Sequence, residues 1–207
     1  MKLFWCPRTR AVRAVWLLEE AGVDYEPVLI NLGDPDSRDN EEFRKTSPMQ
    51  KVPALQDGEA RLAESGAIAL YIADRYASGK LAPEIDDPAR GEFLYWMFFT
   101  PAVVEPAMVE KFGNHPSNRG QHGWGDFDTM IEIFERGVED GPWLLGEQFT
   151  AADCMVGSSA VFMRMFNILP DSAVLHAYAD RCLERPAYQK ALAFDAEHAS
   201  VLETSTD

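Results

Sequence analysis

The sequence predicts a mixed α/β domain followed by an all-helical domain, within a chain of 207 residues. In the first 77 residues, short runs of β-formers alternate with amphipathic stretches in the order β-α-β-α-β-β-α. After residue 88 the patterns are helical, and we find no convincing strand there. Residues 78–88 are polar and rich in Gly and Pro, as is typical of a linker. We therefore predict domains at 1–77 and 89–207, joined by a linker at 78–88.

The first domain opens with a βαβ unit. The apolar run at residues 2–6 predicts a buried strand, and residues 9–21 follow a helical pattern that stops at Gly22. Residues 25–31 are rich in β-formers and predict a second strand. Two strands connected through a helix favour a parallel pair with a right-handed crossover.

A hairpin and a helix complete the first domain. Residues 33–36 read as a turn, and residues 40–45 form a short helix closed by Ser47-Pro48. Asp57-Gly58 lies between two strand patterns at 52–56 and 60–63 and predicts a hairpin turn. Residues 65–76 repeat apolar side chains every four residues, which indicates a helix.

The second domain is predicted to contain helices only. Its clearest helix start is Thr150–Asp153, where each side chain can cap the other's backbone. The apolar stretch that follows predicts a central buried helix. Pro101 and Pro106 must kink or divide the first helical stretch, since proline lacks a backbone donor. The predicted helical ranges are 89–112, 126–138, from 150 onward, 172–184 and 187–197, with a frayed tail from Ser200.

Composition excludes several classes of function. The net charge is −15, and residues 81–207 carry 21 acidic and 8 basic residues against 13 and 11 in residues 1–80. Such an acidic chain is poorly suited to binding nucleic acid. No apolar run reaches the length needed to span a bilayer, so we expect no membrane partner. Three cysteines without paired spacing favour a reducing compartment, most simply the cytoplasm.

One small unit of the first domain suits an amino-acid-like ligand. Lys51–Leu55 predicts a strand with a proline at its mouth, and Glu64-Ser65 predicts a helix start just after the hairpin. A strand edge offers backbone groups, and a helix N-terminus favours a carboxylate. The alternatives are an ordinary edge-strand proline and a plain helix cap.

The motifs together resemble the cytosolic glutathione transferases of bacterial type. The matching segments are Val52-Pro53, Glu64-Ser65, Phe149–Asp153, Gly141–Gly146 and Arg185–Tyr188, and the resemblance covers nearly the whole chain. It implies a thioredoxin-like first domain and a chain that uses glutathione as a co-substrate, with detoxification as the biological setting.

The resemblance also implies roles for particular residues. Pro53 is expected to follow a cis peptide bond, which turns the backbone of Val52 toward the cysteinyl part of glutathione. Glu64 and Ser65 match the residues that hold the γ-glutamyl end. Gln50 or Lys51 could reach the glycine carboxylate, with Lys45 a weaker candidate.

The catalytic group is expected in the first turn, where this chain departs from the usual Tyr or Ser. The candidates are Cys6, Thr9 and Arg10, with Arg8 beside them. Thr9 could donate its hydroxyl to the glutathione sulfur or only cap the helix. Cys6 could form a mixed disulfide with glutathione or lie buried and inert. Arg8 or Arg10 could stabilise the thiolate by charge or lie in solvent.

Three functions follow as hypotheses. The first is conjugation of the glutathione thiolate to a hydrophobic electrophile bound between the domains; the second is a glutathione-dependent thiol-disulfide reductase that uses Cys6. The third is a non-catalytic interaction protein on the same fold.

The family resemblance implies a homodimer. No metal is expected, because His115, His122 and Asp126 match no ligand spacing. The candidate electrophile residues are Trp96, Met97, Phe98, Phe99, Met108, Met163 and Phe166.

Overall fold

The computed structural model describes residues 1–203 and the side chains of residues 1–199. A five-residue π-helical segment covers Thr100–Val104. The strands and helices are β1 (Lys2–Trp5), α1 (Val12–Ala21), β2 (Glu26–Leu29), α2 (Pro35–Arg38), α3 (Glu41–Thr46), β3 (Ala54–Asp57), β4 (Ala60–Ala63), α4 (Ser65–Tyr76), α5 (Arg90–Phe99), α6 (Glu105–Phe112), α7 (Phe127–Gly137), α8 (Ala151–Met165), α9 (Ala173–Glu184) and α10 (Pro186–Glu203).

Packing divides the chain into two compact units. The first contains Met1–Tyr76 together with α10, and the second is Ala77–Arg185. The predicted domain boundaries at 1–77 and 89–207 remain a prediction. In the structure, α10 packs with the first unit and not with the helices of the second. Aromatic packing contributes to this grouping, since Trp16 of α1 stacks on Tyr188 of α10 with ring centroids 4.1 Å apart.

The first unit is built on a four-stranded mixed sheet in the order β2-β1-β3-β4. β1 runs parallel to β2, as the βαβ pattern predicts, and antiparallel to β3, which pairs with β4 in the predicted hairpin. Its core on one face contains Phe4, Ile30, Phe43 and Ala54. The mixed α/β unit and the absence of further sheet strands among residues 77–185 confirm the predicted fold class.

Two local predictions in the first unit differ from the structure. α1 begins at Val12 rather than at residue 9, because residues 6–11 form turns held by local hydrogen bonds. The turn predicted at residues 33–36 leads into the short helix α2. Asp34 caps this helix by accepting the Asp36 N–H, and Pro35 occupies the first helical position, where no backbone donor is needed.

The second unit follows its sequence signals closely. Pro101 divides the first helical stretch, since the chain shifts to π-type hydrogen bonding and the Glu105 N–H bonds to the Thr100 carbonyl. The capping box of Thr150 and Asp153 is formed at the start of α8. α10 extends to Glu203, past the predicted end of its helix, and residues 204–207 of the predicted frayed tail lie outside the described residues.

No helix among the described residues combines the length and apolar character that crossing a membrane requires.

Candidate functional site

The sheet register brings the predicted ligand-binding segments to one edge of the sheet, which is formed by the ends of its strands. Phe4 of β1 pairs with Ala54 of β3, and Ala54 pairs with Ala63 of β4. β1 ends, β3 begins and β4 ends at this edge, because β3 is antiparallel to both neighbours. The first turn (Cys6–Arg10), Val52-Pro53 and Glu64-Ser65 each lie just outside these pairs, so three segments distant in sequence are neighbours here.

The segment before β3 is held in a defined shape. The peptide bond between Val52 and Pro53 is cis, as the family resemblance implies. Pro53 is buried, and Val52 packs against the core formed by Phe4, Ile30, Phe43 and Ala54. With its side chain packed on the core, Val52 has its backbone fixed at the strand entrance.

Ser47 braces this segment and was not singled out by the sequence. It is 1% exposed, its hydroxyl donates to the Lys51 carbonyl at 2.8 Å, and it accepts the Lys51 N–H at 3.0 Å. The Gln50 N–H donates to the Ser47 carbonyl at 2.8 Å, and Gln50 adopts a left-handed φ of 53°. Ser47 therefore fixes Gln50 and Lys51, two of the predicted ligand-binding residues. Its only sequence signal was its place before Pro48.

Glu64 forms the bend between β4 and α4. It is exposed with a left-handed φ of 73°, and its carbonyl accepts the Ile68 N–H at 3.0 Å. Glu64 thus occupies the position just before the helix, and the N–H groups of the first helical residues have no partner within α4. Those N–H groups and the helix dipole favour a negatively charged ligand group beside Ser65.

The far end of α4 is anchored to the hairpin turn. Asp57 accepts hydrogen bonds from the hydroxyls of Tyr76 and Tyr71, the latter at 2.9 Å. The Tyr76 hydroxyl, followed by that of Tyr71 and the charge of Arg75, holds the pKa of Asp57 below its usual range. This contact fixes the direction in which α4 presents its N-terminus at the opposite edge of the sheet.

In the first turn, the Thr9 hydroxyl is engaged within the turn itself. It donates to the Cys6 carbonyl at 2.7 Å and accepts the Ala11 N–H at 3.1 Å. Thr9 therefore closes the turn ahead of α1. Before this hydroxyl can donate a hydrogen bond to a sulfur atom, it must rotate so that its hydrogen turns away from the Cys6 carbonyl.

Cys6 lies beneath the turn as a buried thiol. It is 4% exposed, and burial raises the pKa of its thiol. The backbone N–H of Leu32 acts in the opposite direction, and the charge of Asp195 adds to the increase in the Cys6 pKa. A raised pKa leaves less of the reactive thiolate at neutral pH. Cys6, Cys154 and Cys182 are all buried, and none of them forms a disulfide bond in the described structure.

The two arginines of the turn point outward, and one is tied to the last helix. Arg8 and Arg10 are exposed. The Arg8 N–H donates to both carboxylate oxygens of Asp195, at 3.1 Å each. Nothing in the sequence pattern indicated this contact, because it joins residues that are 187 positions apart.

Most residues predicted to bind the electrophile are core residues. Trp96, Met97, Phe99, Met108 and Met163 are buried in the second unit, while Phe98 and Phe166 are exposed at 59% and 48%. Phe166 packs on Phe162 at 4.5 Å and on Phe112 at 5.7 Å between ring centroids. We call Phe112, Phe162 and Phe166 the aromatic surface cluster.

The loop with the two histidines is held by a carboxylate. Glu110 accepts a hydrogen bond from the Trp124 indole N–H at 2.9 Å and contacts His122 Nδ1 at 3.1 Å. Within the described part of the chain, no group of three or more His, Cys, Asp or Glu side chains is arranged to hold a metal ion.

Comparison with known proteins places the chain in a family. Residues 1–74 match the family model for the glutathione S-transferase N-terminal domain, and residues 87–181 match that for the C-terminal domain. The chain belongs to the glutathione S-transferase family.

Relatives of similar length support this assignment. A glutathione S-transferase of Hyoscyamus muticus is 27% identical over 94% of this chain and 98% of its own. The disulfide-bond oxidoreductase YfcG of Escherichia coli is 27% identical over 92% and 93%. The solved structure of BphK, a bacterial glutathione S-transferase in a ternary complex, has a TM-score of 0.79 at 26% identity, covering 95% of this chain and 100% of its own. A sphingomonad glutathione S-transferase complexed with glutathione has a TM-score of 0.76 at 27% identity, covering 95% and 99%.

Proposed function

We propose that this glutathione S-transferase family member conjugates the thiolate of glutathione to a hydrophobic electrophile. The observation that carries the proposal is the sheet register, which gathers the first turn, Val52-Pro53 and Glu64-Ser65 at one edge. Glutathione is a tripeptide, and this edge offers a strand entrance, an acidic side chain and a helix N-terminus.

Each part of glutathione has a matching group at this edge. The backbone of Val52 pairs with the cysteinyl part in the manner of an added strand. The N–H groups at the start of α4, with the Ser65 hydroxyl, bind the γ-glutamyl carboxylate, and Glu64 binds its ammonium. Gln50 or Lys51 binds the glycine carboxylate. Titrating the protein with glutathione in a calorimeter tests this assignment, and an absence of binding overturns it.

The sulfur of glutathione then lies at the first turn. The protein lowers the free energy of the thiolate through the start of α1, the Arg10 charge and the Thr9 hydroxyl once its proton turns from the Cys6 carbonyl. The thiolate attacks the electrophilic carbon, a carbon–sulfur bond forms, and the leaving group departs with its electron pair. Binding both reactants supplies proximity.

The aromatic surface cluster of the second unit is the proposed contact for the electrophile. Exposed aromatic side chains that pack on one another suit apolar ligands of varied shape. We expect Phe166→Ser to raise KM for an apolar electrophile several-fold while leaving the glutathione Kd unchanged. Ile85→Ser, at a residue that is 82% exposed in the predicted linker, is the matched control. An unchanged KM in the Phe166 variant would remove the cluster from the site.

Conjugation of glutathione to a chloronitrobenzene tests the reaction itself. We expect turnover above the uncatalysed rate, measured by absorbance of the thioether product. Failure to exceed that rate with several electrophiles would contradict the transferase proposal.

A second candidate is a glutathione-dependent thiol-disulfide reductase that uses Cys6. It is favoured by the similarity to the Escherichia coli disulfide-bond oxidoreductase, which is 27% identical. The burial of Cys6 and the raised pKa of its thiol favour the transferase over this reductase. Mass spectrometry after exposure to oxidised glutathione separates the two, since the reductase requires a glutathionyl group on Cys6.

We also propose a two-fold homodimer, on the basis of family membership alone. Light scattering coupled to gel filtration is the direct test.

A further inference from the structure

The last helix reaches the first turn through one carboxylate. Asp195 of α10 lies outside every motif noted in the sequence, and its two oxygens accept the Arg8 N–H at 3.1 Å each. Arg8 belongs to the turn that also contains Cys6, Thr9 and Arg10. One residue near the end of the chain therefore contacts the segment where the proposed reaction takes place.

Arg8 has a backbone conformation that needs such support. Its φ is 57°, in the left-handed region, which is unfavourable for a residue with a Cβ atom. Conformations of this kind persist where surrounding contacts fix them. Asp195 provides a contact at this residue, and the Thr9 hydroxyl closes the other side of the turn.

Asp195 is itself fixed by aromatic packing on both sides. Phe194 contacts Trp5 with ring centroids 4.5 Å apart, and His198, one turn further along α10, contacts Trp5 at 5.3 Å. Trp5 ends β1 and is fully buried. The carboxylate therefore has a defined position relative to the turn that follows Trp5.

The charge of Asp195 acts on Cys6. Burial is the main cause of the raised pKa of the Cys6 thiol, the Leu32 N–H opposes it, and the Asp195 charge adds to it. Burial also raises the pKa of Asp195, while the Arg8 N–H, the Arg8 guanidinium and His198 act to lower it. The charges of Arg8 and His198 therefore act on the Asp195 carboxylate, and the charge of Asp195 acts on Cys6.

We propose that Asp195 is a positioning residue that holds the first turn in shape and keeps Cys6 in its neutral thiol form. The consequence is that Cys6 does not compete with bound glutathione for electrophiles. Alkylation of Cys6 requires loss of its proton to solvent, attack of the sulfur on the carbon and departure of the leaving group with its electron pair. A Cys6 that stays protonated resists this step. Only the statement that Cys6 does not compete with bound glutathione rests on the proposed function.

Alkylation of Cys6 by iodoacetamide, followed by mass spectrometry across pH 6–9, tests the effect of charge. Asp195→Asn keeps an oxygen acceptor for the Arg8 N–H but removes the charge. We expect Cys6 to react faster at pH 7 in this variant and the rise of the rate with pH to begin at a lower pH. Glu197→Gln removes a charge from an exposed position on the same helix and is the matched control. A wild-type rate in Asp195→Asn would overturn the charge effect.

Hydrogen exchange at residues 6–11 tests the positioning role. Asp195→Ala removes the acceptor, so we expect faster exchange in this turn, restored to the wild-type rate in Asp195→Asn. Unchanged exchange in Asp195→Ala would overturn the positioning role. Neither measurement needs glutathione. A protein that passes both tests but binds no glutathione contradicts the proposed function and leaves the role of Asp195 intact.

Discussion

At the scale of single residues, the candidate site separates groups that would contact a ligand from groups that support them. Glu64 is exposed at the end of β4. Ser47, by contrast, is buried, and its hydroxyl hydrogen-bonds both the N–H and the carbonyl of Lys51. Substitution at the two positions should therefore affect ligand binding and folding stability in different proportions.

Glu64→Gln should weaken glutathione binding with little effect on folding. The variant removes the negative charge proposed to bind the ligand ammonium but keeps the size of the side chain. We expect the Kd to rise about tenfold, which corresponds to a loss of about 1.4 kcal/mol. Calorimetry measures the Kd, and urea unfolding should change by less than about 0.5 kcal/mol.

The matched control is Glu59→Gln, at an exposed position in the hairpin turn at the opposite end of the same strands. It removes the same charge from the same hairpin. An equal increase in Kd in both variants would mean that overall charge, and not the position of Glu64, controls binding.

Ser47→Ala should weaken both folding and binding. The substitution removes both hydrogen bonds that the buried Ser47 hydroxyl makes to the Lys51 backbone, a loss of about 0.5–1.5 kcal/mol each in the free energy of unfolding. Because Ser47 hydrogen-bonds the backbones of Gln50 and Lys51, which lead into Val52, the glutathione Kd should rise as well. Urea unfolding and calorimetry on one protein preparation give both values. A loss of stability with an unchanged Kd would remove Ser47 from the support of the site.

At the scale of elements, helix starts and turns were the best predicted features, because their signals are local. Thr150–Asp153 forms its capping box, α4 begins at Ser65, and the hairpin turns at Gly58-Glu59, one residue past the predicted Asp57-Gly58. Each depends on residues within a few positions of one another. The start of α1 was misplaced because the Thr9 hydroxyl bonds back to the Cys6 carbonyl, an alternative to helix that Thr commonly offers.

The capping box contains a buried carboxylate whose ionisation should affect stability. Asp153 is fully buried and accepts hydrogen bonds from the N–H groups of Leu144 and Thr150 and from the Tyr178 hydroxyl. Burial nonetheless raises its pKa to about 6, against the opposing effect of these donors. The folded protein therefore binds this proton more tightly than the unfolded chain does between about pH 4 and pH 6.

Asp153→Asn should consequently change the pH dependence of unfolding. In the wild type, the contribution of Asp153 falls as pH rises from about 4 to about 6, since ionisation is easier in the unfolded chain. The variant does not titrate at this position, so its stability relative to the wild type should improve over this range by up to about 3 kcal/mol. Urea unfolding of both proteins at pH 4, 5, 6 and 7 gives the difference. A difference that is constant with pH would contradict the raised pKa.

At the scale of the whole molecule, the first compact unit is assembled from both ends of the chain. Residues 1–76 and α10 pack together, although the linker, five helices and one π-helical segment lie between them in the described chain. The pattern at residues 187–197 predicts a helix, and in the structure this helix buries the face that contains Tyr188 and Ala191. The pattern does not indicate which partner buries that face, so the sequence grouped α10 with its nearest helical neighbours. Asp195 was missed for the same reason.

Removal of α10 should therefore unfold the first unit and spare the second. A chain ended at Arg185 loses the stack of Tyr188 on Trp16 and the contact of Phe194 with Trp5, which together cover two fully buried tryptophans. Exposure of that aromatic surface removes much of the hydrophobic stabilisation of the unit.

Hydrogen exchange should show lost protection in β1–β4 and α1 of the shortened chain. Peptides from α8 should keep their protection, because the capping box and its core lie within Ala77–Arg185. In the full-length chain, Tyr188→Ala should lower the free energy of unfolding by about 3 kcal/mol, whereas Tyr188→Phe keeps the stacked ring and should lose much less. Unaltered protection of β1 and α1 in the shortened chain would show that the first unit folds without α10.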